Sequence, residues 1–129
     1  MALQKILLEG EAISAGKEKR ILPSLEVNHW DRLHFHISAG TASIADISVR
    51  VLFGTPVGSK ILLSDSTVWY EGATPTEREF SHSTPSTYNG TGFIMSVPVV
   101  APLLYDIILK NNSTEDKPEV YVTVMGQEI

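Results

Sequence analysis

The sequence predicts an all-β fold: a single domain, residues 1–129, built as a jelly-roll-like antiparallel β-sandwich of about eight or nine strands. Apolar and polar residues alternate in short segments, turn-forming residues recur between those segments, and no window keeps helical apolar spacing over three turns. With 129 residues, of which 43% are hydrophobic and 19% charged, the chain is long and apolar enough to bury one core unaided.

Period-two alternation and turn signals place the strands in order. In the segment 31–38 an apolar set faces one way and a polar set the other: Leu33, Phe35 and Ile37 against Arg32, His34 and His36. The segments 45–54 and 119–126 alternate in the same way, and Gly/Ser/Thr/Pro-rich stretches such as STPSTYNGTG separate the segments. The predicted strands are 4–14, 18–22, 31–38, 45–54, 60–70, 77–82, 91–98, 103–110 and 119–126.

The longest apolar run, FIMSVPVVAPLLYDIIL at 93–109, is interrupted by Pro98, Pro102 and Asp106. These residues are incompatible with a membrane helix and favour two strands joined across VPVVAP. Both faces of the run are apolar, whereas a sandwich strand normally leaves one face wet. One face holds Phe93, Met95, Val97 and Val99 and the other Ile94 and Val100, after which Leu104 and Ile108 oppose Tyr105, Ile107 and Leu109. We therefore expect a homo-oligomer or a protein assembly partner to cover one face.

Composition excludes several classes of function. A net charge of −5 argues against nucleic acid as a partner, because neutralising phosphates needs clustered Lys and Arg. The sequence has no cysteine, which excludes disulfides, cysteine-based zinc sites and thiol nucleophiles. Glu9 and Glu11 interrupt the segment where a signal peptide would be apolar, so we expect no signal peptide, no membrane partner, and a cytoplasmic or particle-associated protein.

His34 and His36 are two residues apart on a predicted strand, so both imidazoles lie on one side, as a metal-chelating pair would. A metal site also needs a third ligand, yet no acidic residue follows His36 before Asp46, and His82 is the only later histidine. The pattern favours the polar face of an ordinary amphipathic strand, with no metal, no cofactor and no catalytic residue. A small metal-dependent enzyme built around the two histidines is an alternative.

Aromatic residues suggest a ligand surface. Trp69 and Tyr70 are adjacent on a predicted strand, so one of them faces outward unless both sides of the sheet are covered. By alternation Trp30 falls on the same side as the two histidines. Exposed rings beside polar groups form stacking platforms for sugars, which makes carbohydrate a candidate ligand. The candidate ligand-binding residues are Trp30, Trp69, Tyr70, Arg32, His34 and His36; in the alternative interpretation Trp30 covers the end of the sandwich and Trp69 sits in the core.

Three pieces together resemble a known group of domains: a long opening strand, then ILPSLEVNHWDRLHFHIS, and finally VPVVAPLLYDIILKNNSTEDKPEVYVTVMGQ. The pattern is similar to galactose-binding-like jelly rolls, the type found in discoidin domains, carbohydrate-binding modules, and phage-tail and bacterial surface proteins. The resemblance implies a non-catalytic ligand-binding or scaffolding role and allows a structural calcium. The chain lacks the cysteine pair that brackets such domains, and no ligand loop carries over residue by residue.

These observations together predict a non-enzymatic interaction or assembly module. The first alternative is a carbohydrate-binding module that uses exposed aromatic residues. The second is the metal-dependent enzyme around His34 and His36.

Overall fold

The computed structural model describes residues 3–23, 25–54 and 79–128. Within these ranges the chain forms nine β-strands and no helix, which confirms the predicted all-β sandwich. The strands are β1 (Leu3–Ile13), β2 (Glu18–Ile21), β3 (Leu25–Glu26), β4 (Arg32–Ser38), β5 (Ile47–Gly54), β6 (Glu79–Ser83), β7 (Gly92–Pro98), β8 (Leu103–Asn111) and β9 (Lys117–Gln127).

The strands form two antiparallel sheets. The four-stranded sheet has the order β1-β9-β4-β7, and the five-stranded sheet has the order β2-β8-β5-β6 with β3 also paired to β8. Strands far apart in sequence are therefore neighbours, as β1 and β9 are, and most successive strands lie in different sheets, although β5 and β6 are paired in the same one. This is the strand order of a jelly roll, in which two Greek keys wrap one core.

Alternation predicts the inward face of the central strands correctly. On β4 and β5 the odd-numbered apolar residues are fully buried between the sheets, and on β9 the even-numbered ones are. The residues that alternate with them are not fully buried. The fully buried residues on these strands are Leu33, Phe35, Ile37, Ile47, Val49, Val51, Phe53, Val120, Val122 and Val124. Because one face of each strand is removed from water, a register slip of one residue would expose this whole set.

Strand β8 departs from the predicted alternation. Its partner β5 aligns Leu52 with Asp106 but Phe53 with Leu104, so Tyr105 is an extra residue opposite no partner. Such a β-bulge reverses the side on which the following residues lie. Leu104 consequently joins Ile107 in the core instead of facing away from it, and the prediction for Leu104 was wrong.

The predicted segment 60–70 and the first two residues of 77–82 lie outside the described residues. The short strand β3 was not predicted, because two residues after Pro23 carry no periodic signal. In the described part of the chain there is no helix that could cross a membrane.

Candidate functional site

Strand β4 places the predicted polar set at the centre of an exposed surface. Arg32, His34 and His36 lie on the side of the four-stranded sheet that faces away from the core, while the residues between them are buried. The prediction that the two histidines share one wet face is therefore confirmed. Because β4 is paired on both sides, these side chains sit between neighbours from β9 and β7.

The sheet register assembles the rest of this surface. His36 lies between Thr123 and Ile94, and His34 lies between Met125 and Ser96. Side chains of directly paired residues project to the same side of a sheet, so these rows form one continuous surface. We call it the outer face, and it comprises Gln4, Ile6, Arg32, His34, His36, Ser38, Ile94, Ser96, Glu119, Tyr121, Thr123, Met125 and Gln127.

His34 is held in place by hydrogen bonds at both ring nitrogens. Its Nε2 lies 2.6 Å from Oε1 of Gln127, and its Nδ1 lies 2.6 Å from Oγ of Ser96. Since an amide oxygen only accepts, Nε2 carries the hydrogen and Nδ1 of the neutral ring accepts from the serine hydroxyl. Neither nitrogen is left to bind a metal unless these bonds break.

The described residues contain no cluster of three or more His, Asp or Glu side chains that could hold a metal ion. His36 is exposed on the same face, but its neighbours across the sheet are Thr123 and Ile94, neither of which is a usual metal ligand. The donor set around the histidine pair therefore differs from that of a chelating site.

Trp30 lies on the opposite side of the sheet from the histidines, so the alternation argument for it was wrong. Its ring belongs to the core, and a Cβ on Gly126 of β9 would lie 2.6 Å from the ring atoms Cγ and Cδ1. The reason is a turn, in which the backbone N–H of Trp30 donates to the carbonyl of Val27, so Trp30 precedes the strand and does not follow its alternation. At 8% exposure the ring presents no stacking surface.

Two other candidate residues, Trp69 and Tyr70, lie outside the described residues. Their predicted role as a stacking platform stays a prediction.

Tyr121 is the aromatic residue that the outer face does expose, and it was not among the predicted site residues. Its side chain is 36% exposed, lies across from Ser38 of β4, and its ring covers Gly10 of β1. The nearby carboxylate of Glu119, 3.3 Å from the hydroxyl, raises the pKa of Tyr121 above its usual value. Period-two alternation in EVYVTVMG already indicated that this tyrosine faces away from the core.

The outer face is nearly uncharged although the protein carries a net charge of −5. Of the side chains that define it, Arg32 and Glu119 are charged, with opposite signs, and the others are hydroxyls, amides, imidazoles and apolar groups. Seven residues of β4 at ~3.4 Å each, and four strands at ~4.8 Å, give a surface of about 24 by 19 Å, or roughly 450 Å².

A cleft of about 380 Å³ opens beside the outer face, between the edge strands β6 and β7. It is lined by Phe80, Ser81, His82, Phe93, Ile94, Met95, Ser96 and Val97. The rings of His82 and Phe93 bridge the two sheets with centroids 5.1 Å apart. None of the described lining residues is an acid, a lysine or an arginine.

Comparison with known proteins finds only weak structural similarity. No protein-family model matches the sequence, and no curated protein is significantly similar to it. The apo structure of BiXyn10A CBM1 is 10% identical, with 95% of this chain and 60% of that chain covered and a TM-score of 0.30. The capsular polysaccharide assembling protein CapF from Staphylococcus aureus is 10% identical, with 100% of this chain and 29% of that chain covered and a TM-score of 0.27.

The chain thus spans 60% and 29% of the lengths of these two proteins. The name of the second refers to capsular polysaccharide, but similarity at this level carries no argument about the fold, ligand or activity of this chain. The galactose-binding-like resemblance stays a prediction.

Proposed function

We propose that this protein is a non-catalytic binding module that holds a neutral saccharide on the outer face of its four-stranded sheet. The observation that carries the proposal is the chemistry of that face. One open aromatic ring, Tyr121, lies beside neutral hydrogen-bonding groups of β4 and β9, and its hydroxyl donates to the carboxylate of Glu119.

Several groups of the outer face match the chemical groups of a saccharide. The C–H face of a pyranose packs on an aromatic ring, so the exposed side of Tyr121 provides the stacking surface. Sugar hydroxyls both donate and accept, as do the hydroxyl of Thr123 and the neutral imidazole of His36 beside it. A neutral ligand also brings no charge that would have to be desolvated on a surface whose own charges are Arg32 and Glu119.

Pre-organisation of the face supports the same proposal. His34 is fixed by Ser96 and Gln127, and the tyrosine hydroxyl contacts Glu119, so their side chains lose less conformational freedom when a ligand binds.

The assembly interpretation retains less support than the sequence suggested. Most apolar residues of 93–109 contact the protein's own core, including Leu104, which the bulge at Tyr105 turns inward. Ile94 remains, at 63% exposure, together with Ile6 at the far side of the same face. Assembly therefore stands as the second candidate function, and it rests on these two side chains.

The test is a pair of matched tyrosine variants measured against a panel of neutral polysaccharides and oligosaccharides. Tyr121 and Tyr88 are equally exposed, at 36% and 37%, but Tyr88 lies in the loop after β6, where its hydroxyl donates to the carbonyl of Gly92. We expect Tyr121→Ala to weaken binding between about threefold and tenfold, and Tyr88→Ala to leave it within twofold. Isothermal titration calorimetry measures both.

Failure to bind any glycan in the panel would refute the proposal. Binding that survives Tyr121→Ala but not Trp69→Ala would move the ligand to the predicted platform of Trp69 and Tyr70.

A further inference from the structure

In strand β7 the backbone N–H and C=O groups of the even-numbered residues point away from β4. At the ends of the β4–β7 ladder, the N–H of Ala39 donates to the carbonyl of Thr91, and the N–H of Val99 donates to the carbonyl of Asp31. In an antiparallel pair, hydrogen-bonded and non-hydrogen-bonded residue pairs alternate, so the odd-numbered residues of β7 bond to β4. The N–H and C=O of Ile94 and Ser96 therefore point to the outer edge of the sheet, where no strand among the described residues pairs with them.

Both ends of this edge are blocked. At one end the Tyr88 hydroxyl donates to the carbonyl of Gly92 at 2.7 Å. At the other end stands Pro98, which has no N–H, and proline of this kind is a common means of protecting an edge strand. Between these ends lie Ile94 and Ser96, whose two N–H and two C=O groups form a window, and the Pro98 carbonyl, which also faces outward, lies just beyond it.

We propose that two copies of this chain associate through this window, with β7 of one copy antiparallel to β7 of the other. A two-fold axis at Met95 places Ile94 opposite Ser96 of the second copy, and Ser96 opposite Ile94. In this register each opposed pair exchanges two N–H···O=C bonds, so all the window's donors and acceptors in both copies are satisfied by four hydrogen bonds. A second copy is the occupant we infer, because the same edge supplies matching donors and acceptors in this register and the described lining of the adjoining cleft bears no charge that would repel a copy.

The side chains around the window suit the same partner. The two Met95 side chains meet across the axis on the cleft side, where Phe93 and Phe80 leave an apolar wall half exposed. On the other side the protruding Ile94 packs beside the second copy's strand. The described residues of the cleft lining bear no permanent charge, so two copies of a protein with a net charge of −5 meet without local repulsion.

The area of the β7–β7 contact limits the affinity of the dimer. A strand-edge contact over five residues is ~17 Å long and about 10 Å deep, which remains well below the area of a standard interface even with the cleft added. We expect a dimer with a dissociation constant in the micromolar range or weaker, formed reversibly as concentration rises. It would join the two four-stranded sheets into one continuous sheet, and, if the proposed function is right, align two saccharide surfaces side by side.

The experiment is sedimentation velocity from about 10 μM to about 1 mM, with the same substitution on two exposed isoleucines of the outer face. Ile94→Lys places a charge at the paired edge, whereas the control Ile6→Lys places it on β1, at the opposite edge of the sheet. Both side chains are more than half exposed, so neither change disturbs the core. We expect Ile94→Lys to weaken dimerisation at least tenfold and Ile6→Lys to leave it unchanged.

Hydrogen exchange on the unaltered protein supplies the second measurement. The amides of Ile94 and Ser96 should exchange more slowly at high than at low concentration, while other edge amides keep their rates. A monomer at about 1 mM would overturn the proposal. Equal loss of the dimer in both lysine variants would also overturn it, because the contact would then be face to face, and so would unchanged exchange at the window.

Discussion

Asn111 and Asn112 are adjacent and chemically identical, but the fold uses them differently. Asn111 is fully buried, and its amide Nδ2 donates to the carbonyls of Ile13 and Glu115 at 3.0 and 2.8 Å. Its Oδ1 accepts from the N–H and hydroxyl of Ser113 at 3.0 and 2.6 Å. The side chain thus ties the end of β1 to the loop between β8 and β9.

The cost of Asn111→Ala follows from these contacts. Four hydrogen bonds are lost, each worth about 1 kcal/mol net, but the serine groups are partly exposed and can bond to water instead. The carbonyl of Ile13 has no such replacement, because it is buried with its residue. We therefore expect a loss of about 2–4 kcal/mol in the free energy of unfolding.

Asn112→Ala is the matched control. Asn112 is exposed, and its side chain makes one hydrogen bond, at 2.6 Å to Oγ of Ser48. Water replaces that partner, so the expected cost is below about 0.5 kcal/mol. Urea unfolding followed by circular dichroism should lower the midpoint by about 1–2 M for Asn111→Ala and hardly at all for the control.

Equal destabilisation by the two alanine variants, or a cost below about 1 kcal/mol for Asn111→Ala, would refute this reasoning. In either case the buried amide would not be what connects β1 to the loop. Asn111→Asp provides a further check, because it keeps the shape but replaces the amide donor with an oxygen facing two carbonyls. It should destabilise the protein at least as much as alanine does at neutral pH.

Two further predictions concern contacts that hold the sheets. Gly126→Ala should displace the Trp30 ring, because the new Cβ would lie 2.6 Å from ring atoms. We expect the free energy of unfolding to fall by about 1–3 kcal/mol and the tryptophan emission to shift to the red. Unchanged stability and emission would contradict this prediction. Arg20→Ala should destabilise the fold, because the Asp106 carboxylate, 1% exposed and 2.6 Å from Nη2 of Arg20, is left buried without its cation. Adding Asp106→Leu should restore stability in urea unfolding, and no recovery would show that the carboxylate is not the cause.

The wet face of β4 could be predicted from the sequence, because local periodicity decides it. Arg32, His34 and His36 alternate with residues that only the core can accommodate, and burying one set leaves the other outside. The same logic predicted the inner faces of β5 and β9. It also implied that Tyr121 faces outward, but nothing in the sequence indicated that His36 and Ile94 lie beside it, since strand order is not a local property.

The sequence did not indicate where the alternation is interrupted, and these interruptions change which side chains lie in the core and which lie at the surface. A turn before β4 directs Trp30 into the core, and a bulge at Tyr105 turns Leu104 inward, because one extra or differently folded residue reverses every later side chain. The sequence by itself determined that this chain is a sandwich with a polar β4 face. Only the tertiary structure decided that His34 is locked by residues 62 and 93 positions away and that β7 lies at an edge, because both depend on which strands pair.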